Sequence, residues 1–341
     1  MLLNVKNLKT HYQTEQGVVK AVDGISLAIA ENEVFGLAGE SGCGKSTFIR
    51  TIMRLLPEST RITADELSFR GQNLLSMPDR EFRRKILWQQ ISMVPQSAMN
   101  ALNPVYRVGD QIIEAILAHS DLGRNDCIGK VQELFDIVGL QAGLMQRYPH
   151  EFSGGMRQRV MIAMSLALSP SLIIMDEPTT GLDVLVQERI LRNLKQIRQQ
   201  YKHANSIILI THDISVIAEM SDRIGIMYAG RMMETAGSME LFNEPYHPYT
   251  MGLKNAFPSI RAFERELVSI PGSPPNLIED IAGCVFSPRC PFSIPDCDQH
   301  RPEFLQVKPG HFSACIRTDH VEQFRIQAGD KKTWQSLRSV T

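Results

Sequence analysis

Apolar and polar positions alternate in two different rhythms along this chain, and their changes mark its parts. Residues 2–8, 18–29 and 33–39 read as strands, with Asp23 and Gly24 as a turn inside the second stretch. A helix is expected over 45–56, another strand and turn over 63–73, and a short buried strand over 91–96 that ends in the polar Gln96. From 108 to about 147 the apolar spacing becomes three and four, in VGDQIIEAILAHS and KVQELFDIVGL, which predicts a helical insert. Alternation then resumes with a helix over 156–168, a strand over 172–177, a helix over 184–201, a strand over 206–211, a helix from 214 and a strand over 223–228. Strands alternating with helices predict an α/β fold with a largely parallel, helix-covered sheet.

Beyond residue 245 the rhythm is lost. Pro245, Pro248, Pro258, Pro271, Pro274 and Pro275 punctuate the chain, so a domain boundary is expected there. Residues 246–325 form a separate C-terminal region in this reading, and 326–341 a polar tail expected to fray. The 341 residues, 43% of them hydrophobic, are ample for one large core and a smaller unit. With 36 basic and 37 acidic residues the net charge is -1, so no overall field draws the chain to nucleic acid or to an anionic membrane surface. The start, MLLNVKNLKT, does not read as a leader, and no apolar run reaches the roughly 20 residues of a spanning helix; a cytoplasmic location is expected.

The stretch that carries the clearest chemistry is GESGCGKST, comprising Gly39, Glu40, Ser41, Gly42, Cys43, Gly44, Lys45, Ser46 and Thr47, set between a strand and a helix. Glycines free the backbone N–H groups to curl around an anion, and the helix start adds its dipole. Lys45 is placed to reach the terminal phosphates of a nucleotide, Ser46 to hold Mg2+ through its hydroxyl, and Thr47 to anchor the phosphate nearer the sugar. Tyr12, between the first two strands, is a candidate to stack on the adenine ring or an ordinary half-buried aromatic.

Asp176 and Glu177 close the apolar strand LIIMDE, and His212 closes SIILITH. Parallel sheets bind ligands at the carboxyl ends of their strands, the end from which the phosphate loop emerges. Asp176 is therefore expected to hold Mg2+, Glu177 to polarise the attacking water and His212 to face the terminal phosphate. Ser153, Gly154 and Gly155 precede a helix in FSGGMRQR, either as a simple cap or as a second anion cradle for nucleotide held by another subunit.

In this order, GESGCGKST, Gln96, FSGGMRQR, LIIMDE, the GLD that ends at Asp183, and His212 resemble the ATP-binding subunits of ABC transporters. The resemblance implies a P-loop ABC ATPase with a mostly parallel sheet core, an N-terminal antiparallel β part and a helical subdomain over about 97–157. It implies two subunits sandwiching two ATP molecules, so that Ser153, Gly154 and Gly155 act on the partner's ATP and Asp183 lies at the interface. Gln96 joins the catalytic set and the Mg2+ ligands on the same ground. Phe152 and Met156 depart from the leucine and glutamine common in that signature.

LNPVYRVGDQI, YPHEFSGGMRQR, YHPYT, PGSPPNL and GCVFSPRCP carry the resemblance further, to the peptide-family importers. It implies a cargo of dipeptides or oligopeptides, with nickel or oligosaccharide in some relatives. The implied partners are two transmembrane permease subunits, a sister ATPase chain and an extracytoplasmic solute-binding protein, with no nucleic acid; the implied place is the cytoplasmic face of the inner membrane. Rival readings are a soluble ABC ATPase, whose coiled-coil insertion or tandem cassettes are not visible here, and an iron-sulfur sensor switched by ATP.

Cys284, Cys290, Cys297 and Cys315 crowd a proline-rich stretch that can build little core. They lack the C-x-x-C knuckle typical of structural zinc. Some peptide-importer ATPases that this tail resembles hold a [4Fe-4S] cluster there, which leaves a cluster, zinc or no metal as readings. Cys43 and Cys127 read as small packing residues.

Overall fold

A computed structural model of the chain describes residues 1–96, 101–178, 187, 205–256 and 268–335. The expected helix over 184–201 lies almost wholly outside them, and Asp183 does so entirely. The chain divides into two compact units. One comprises Met1–Leu2, Ile29–Val34 and Phe69–Thr211, the other Leu3–Ala28, Phe35–Ser68 and His212–Thr341.

In the first unit three strands, Ile91–Val94, Leu172–Asp176 and Ser206–Ile210, run parallel in that order. Their unbroken apolar runs suit strands covered on both faces, and every residue of the last two is buried. Register sets Val94 beside Met175 and Asp176 beside Ile210, so their carboxyl ends lie level. The insert is helical as expected, with Val108–Leu117 packed on Arg124–Ile137. Val108, Ile112, Ile113 and Ile116 form the buried stripe of the first helix, and Val131, Leu134 and Phe135 that of the second. Helix Gly154–Leu166 follows.

The second unit contains two sheets. In one, Gly17–Ile29 pairs with Leu3–Thr14, which also pairs antiparallel with Arg61–Thr63. The expected turn at Asp23 and Gly24 is absent, because that strand runs through both residues and the chain reverses at Glu15 and Gln16. A positive φ of 88° at Gly24 bends the strand locally without ending it. In the other sheet Arg223–Tyr228 lies parallel to Val34–Ala38, as the alternation implied. Three further strands extend it antiparallel: Arg231–Gly237, then the hairpin His311–Ser313 with Leu305–Lys308.

Thus the proline-rich region contributes strands to the sheet that carries Val34–Ala38. It also shares its core. Tyr249, Val285, Phe286, Phe324, Ala328 and Trp334 pack in one buried cluster with Ile224, Ile226, Tyr228 and Met233. Within 326–341, Trp334 is 1% exposed and its indole N–H donates to the Ala328 carbonyl at 3.0 Å. Among the described residues no helix is long and apolar enough to cross a membrane.

Trp334→Ala is expected to destabilise the second unit by about 3 kcal/mol or more, and Trp334→Phe by less, because an indole-sized cavity cannot fully collapse. Urea unfolding followed by circular dichroism checks the order.

Candidate functional site

The phosphate loop follows a strand whose five residues are all buried, which fixes the point where the chain turns. Gly39 and Gly44 have φ of 151° and 103°, and a Cβ at either would stand 2.1 Å from a carbonyl oxygen, of Met227 or of Ala21. No side chain fits at these two positions. Helix Lys45–Ile52 begins directly after Gly44 and ends four residues earlier than expected. The buried Lys45 ammonium donates to the carbonyls of Gly39 at 2.7 Å and Glu40 at 3.0 Å, and lies 3.4 Å from the Cys43 sulfur. The cation is therefore held within the loop. Burial pushes the Cys43 thiol above its ordinary range, consistent with a neutral packing group.

Ser41 and Gly42 are exposed, while Ser46 and Thr47 are half-buried. The Tyr12 hydroxyl donates to Thr47 Oγ1 at 3.3 Å, which sets the half-buried ring beside the loop. Two residues that the sequence did not single out also hold this loop. The Glu40 N–H donates to the Tyr249 hydroxyl at 3.0 Å, and Arg289 donates to both Glu40 carboxylate oxygens, at 2.7 and 3.1 Å. Tyr249 lies in YHPYT and Arg289 in GCVFSPRCP. The available signal was an arginine in an apolar, proline-rich setting, where a buried cation requires an anionic partner.

In the first unit, Gln96 and Glu177 meet just past the level strand ends. Gln96 Nε2 donates to Glu177 Oε2 at 2.7 Å. Asp176 is 5% exposed, and Glu177 turns out of the strand at φ 49° with its N–H bonded to the Ile210 carbonyl at 2.9 Å. A carboxylate so oriented can take a proton from water, and a buried one beside it can serve a cation.

Ser153 is exposed and caps helix Gly154–Leu166, its hydroxyl accepting from the Met156 N–H at 3.3 Å; Gly155 is buried at the first turn. The simple capping arrangement is thus present, and it leaves the helix start open to an external anion. His212, in the second unit, is exposed and precedes Asp213, whose carboxylate caps helix Ile214–Met220.

All six cysteines are free thiols. Cys284, Cys290, Cys297 and Cys315 line one small cavity with His247, Phe286 and Phe292. The Cys284 N–H donates to the Cys297 carbonyl at 2.7 Å, which ties two of them through the backbone. Burial pushes the Cys284 thiol up to about 11 and Cys315 up to about 12, with Cys290 higher still. Among the described residues no group of three His, Cys, Asp or Glu side chains is gathered to hold a metal ion. Four thiols on one cavity equal in number the thiolates of a four-iron cluster, one per iron.

Residues 22–180 match the family described as ABC transporter, and 233–297 the family described as oligopeptide/dipeptide transporter, C-terminal region. The chain is similar to the probable peptide ABC transporter ATP-binding protein y4tR of Sinorhizobium fredii, with 42% identity covering 94% of this chain and 96% of that one. It is 41% identical to the oligopeptide transport ATP-binding protein OppD of Escherichia coli, over 93% of each chain. With the dipeptide transport ATP-binding protein DppD of Bacillus subtilis it shares 40% identity over 97% of this chain and 99% of the relative. Among solved structures, the dimeric bacterial ABC transporter cassette MJ0796 superposes with a TM-score of 0.62 at 25% identity, covering 70% of this chain and 99% of the cassette. Such identity along nearly the whole length, through both cassette and C-terminal region, shows that the chain belongs to the ATP-binding subunits of the oligopeptide/dipeptide ABC transporter family.

Proposed function

We propose that this chain hydrolyses ATP to drive uptake of dipeptides or oligopeptides across the cytoplasmic membrane, as the ATPase subunit of an ABC importer. The observation that carries the chemistry is the phosphate loop, with the Lys45 ammonium drawn inside it and no room for side chains at Gly39 and Gly44. The cargo class rests on the family match through both cassette and C-terminal region.

In this reading backbone N–H groups from Gly39 to Thr47 cradle the ATP phosphates, and Lys45 exchanges its carbonyl contacts for phosphate oxygens. Tyr12 borders the adenine. Ser46, Gln96 and Asp176 hold Mg2+, which when bound neutralises charge on the terminal phosphates. Glu177 accepts the proton of the attacking water; Gln96 fixes the orientation of that carboxylate through its amide. His212 faces the terminal phosphate. Ser153, Gly154 and Gly155 contact ATP held by a second ATPase subunit, at an interface to which Asp183 also belongs.

The partners in this reading are two transmembrane permease subunits, a sister ATPase chain and an extracytoplasmic solute-binding protein, with the chain peripheral on the cytoplasmic face of the inner membrane. A [4Fe-4S] cluster on Cys284, Cys290, Cys297 and Cys315 completes it as a structural staple. What supports this is that all four cysteines line one cavity.

Glu177→Gln is expected to keep ATP binding, accumulate an ATP-bound dimer and slow turnover by roughly 10²- to 10⁴-fold; rapid peptide uptake by this variant in reconstituted vesicles would overturn the mechanism. Protein purified without oxygen is expected to contain iron and acid-labile sulfide in equal amounts, both lost in Cys290→Ser. Absence of both from the parent protein would remove the cluster.

A further inference from the structure

The C-terminal region does more than cover a sheet. Arg289 sits in the turn Ser287–Arg289, immediately before Cys290, with its side chain only 7% exposed. Its planar fork is fully used. Nε donates to the Pro271 carbonyl at 2.8 Å, and the terminal nitrogens to the two Glu40 oxygens, to the Tyr228 hydroxyl at 3.1 Å and to the Ile270 carbonyl at 3.4 Å. A bidentate pair of this kind fixes direction as well as distance.

Glu40 is the second residue of the phosphate loop, and it is held at three points. Its carboxylate belongs to Arg289, its N–H to Tyr249, and its carbonyl receives the Lys45 ammonium. A line of direct contacts therefore runs from Arg289 through Glu40 to Lys45. A carboxylate at the mouth of an anion site also repels phosphate unless a cation offsets it, and Arg289 supplies that cation.

We infer that Arg289 is a positioning residue for ATP binding: by clamping Glu40 it fixes the phosphate loop and the aim of Lys45, so the C-terminal region sets nucleotide affinity from outside the cassette motifs. Tyr249 supports the same residue from its backbone side. The inference rests on the phosphate-loop reading above and adds a determinant that lies some 250 residues away in sequence, at a separation of 249 between Glu40 and Arg289.

The test is a double-mutant cycle on the full-length chain, with Glu40→Gln, Arg289→Gln and both together. Binding of a fluorescent ATP analogue with Mg2+ and the melting temperature are the two readouts. Each single variant is expected to weaken binding roughly tenfold, with the double variant no weaker than the weaker single, as coupling within one network requires. Arg289→Lys, which keeps the charge and loses the fork, is expected to fall between. The sign for Glu40→Gln is decisive, since removal of a negative charge near phosphate tightens binding if simple repulsion governs and weakens it if the clamp governs.

Unchanged or tighter binding in Glu40→Gln, or additive losses in the double variant, overturns the inference. So does a lowered melting temperature in Arg289→Gln with affinity retained. Should Arg289→Gln fail to fold, the isosteric Glu40→Gln still decides. Lys45→Ala separates the two levels: if it binds nucleotide normally, the phosphate-loop reading itself fails, whereas lost binding there beside unaffected Glu40 and Arg289 variants removes only the clamp.

Discussion

Two carbonyl oxygens govern the nucleotide-binding half of this protein. Those of Met227 and Ala21 stand 2.1 Å from where a side chain would begin at Gly44's counterpart Gly39 and at Gly44 itself, respectively. The loop between them can close around an anion because neighbouring backbone approaches so nearly. Met227 belongs to Arg223–Tyr228 and Ala21 to Gly17–Ile29, so the loop is gripped between two sheets of its own unit. Backbone bonds from Gly230 N–H to the Cys43 carbonyl and from Asp23 N–H to the Gly230 carbonyl, 2.9 and 2.8 Å, tie the same three segments together.

Buried carboxylates organise the surroundings of that grip. Asp23 receives Arg231 at 3.0 Å and Arg301 at 2.7 Å, so one side chain joins the N-terminal sheet, the strand Arg231–Gly237 and the cysteine-rich region. Glu234, fully buried, accepts from the N–H groups of Tyr246 and His247 and is bonded to His311 at 2.7 Å. A buried carboxyl group of this sort is tolerable only with its hydrogen-bond partners in place. These clusters therefore define where the proline-rich segment must lie, which its irregular apolar pattern does not. Specific polar contacts replace periodicity as the organising device there.

The parallel strands were legible because burial on both faces leaves unbroken apolar runs, as in Leu172–Asp176, Ser206–Ile210 and Arg223–Tyr228. The phosphate loop and the helical insert were legible for similar local reasons, glycine spacing in one case and a repeat of three and four in the other. The hairpin formed by Leu305–Lys308 and His311–Ser313 was not, because strands of four and three residues are too short for alternation to register. Asp23 and Gly24 misled for a related reason: a D-G pair commonly marks a turn, yet here Gly24 bends a strand that pairing keeps extended. Lys45, Asp176 and Glu177 were singled out by their motifs, and Gln96 by resemblance alone. Arg289 carried only the signal of a cation in an apolar, proline-rich setting, and nothing in its neighbours identifies its remote partner at position 40.

The core built from Ile224, Ile226, Tyr228, Met233, Tyr249, Phe286 and Trp334 bears on how modular this protein is. A cassette of the MJ0796 kind corresponds to 70% of the chain, and it would be natural to treat the remainder as an accessory bolted to a complete engine. The shared core contradicts that division. A chain cut after the cassette motifs would expose to water the aromatic and aliphatic face on which Tyr249, Phe286 and Trp334 lie, and would leave the edge of Arg231–Gly237 without its strand partner. Grafting the C-terminal region onto another cassette meets the converse obstacle, since half of its hydrophobic interior would remain behind.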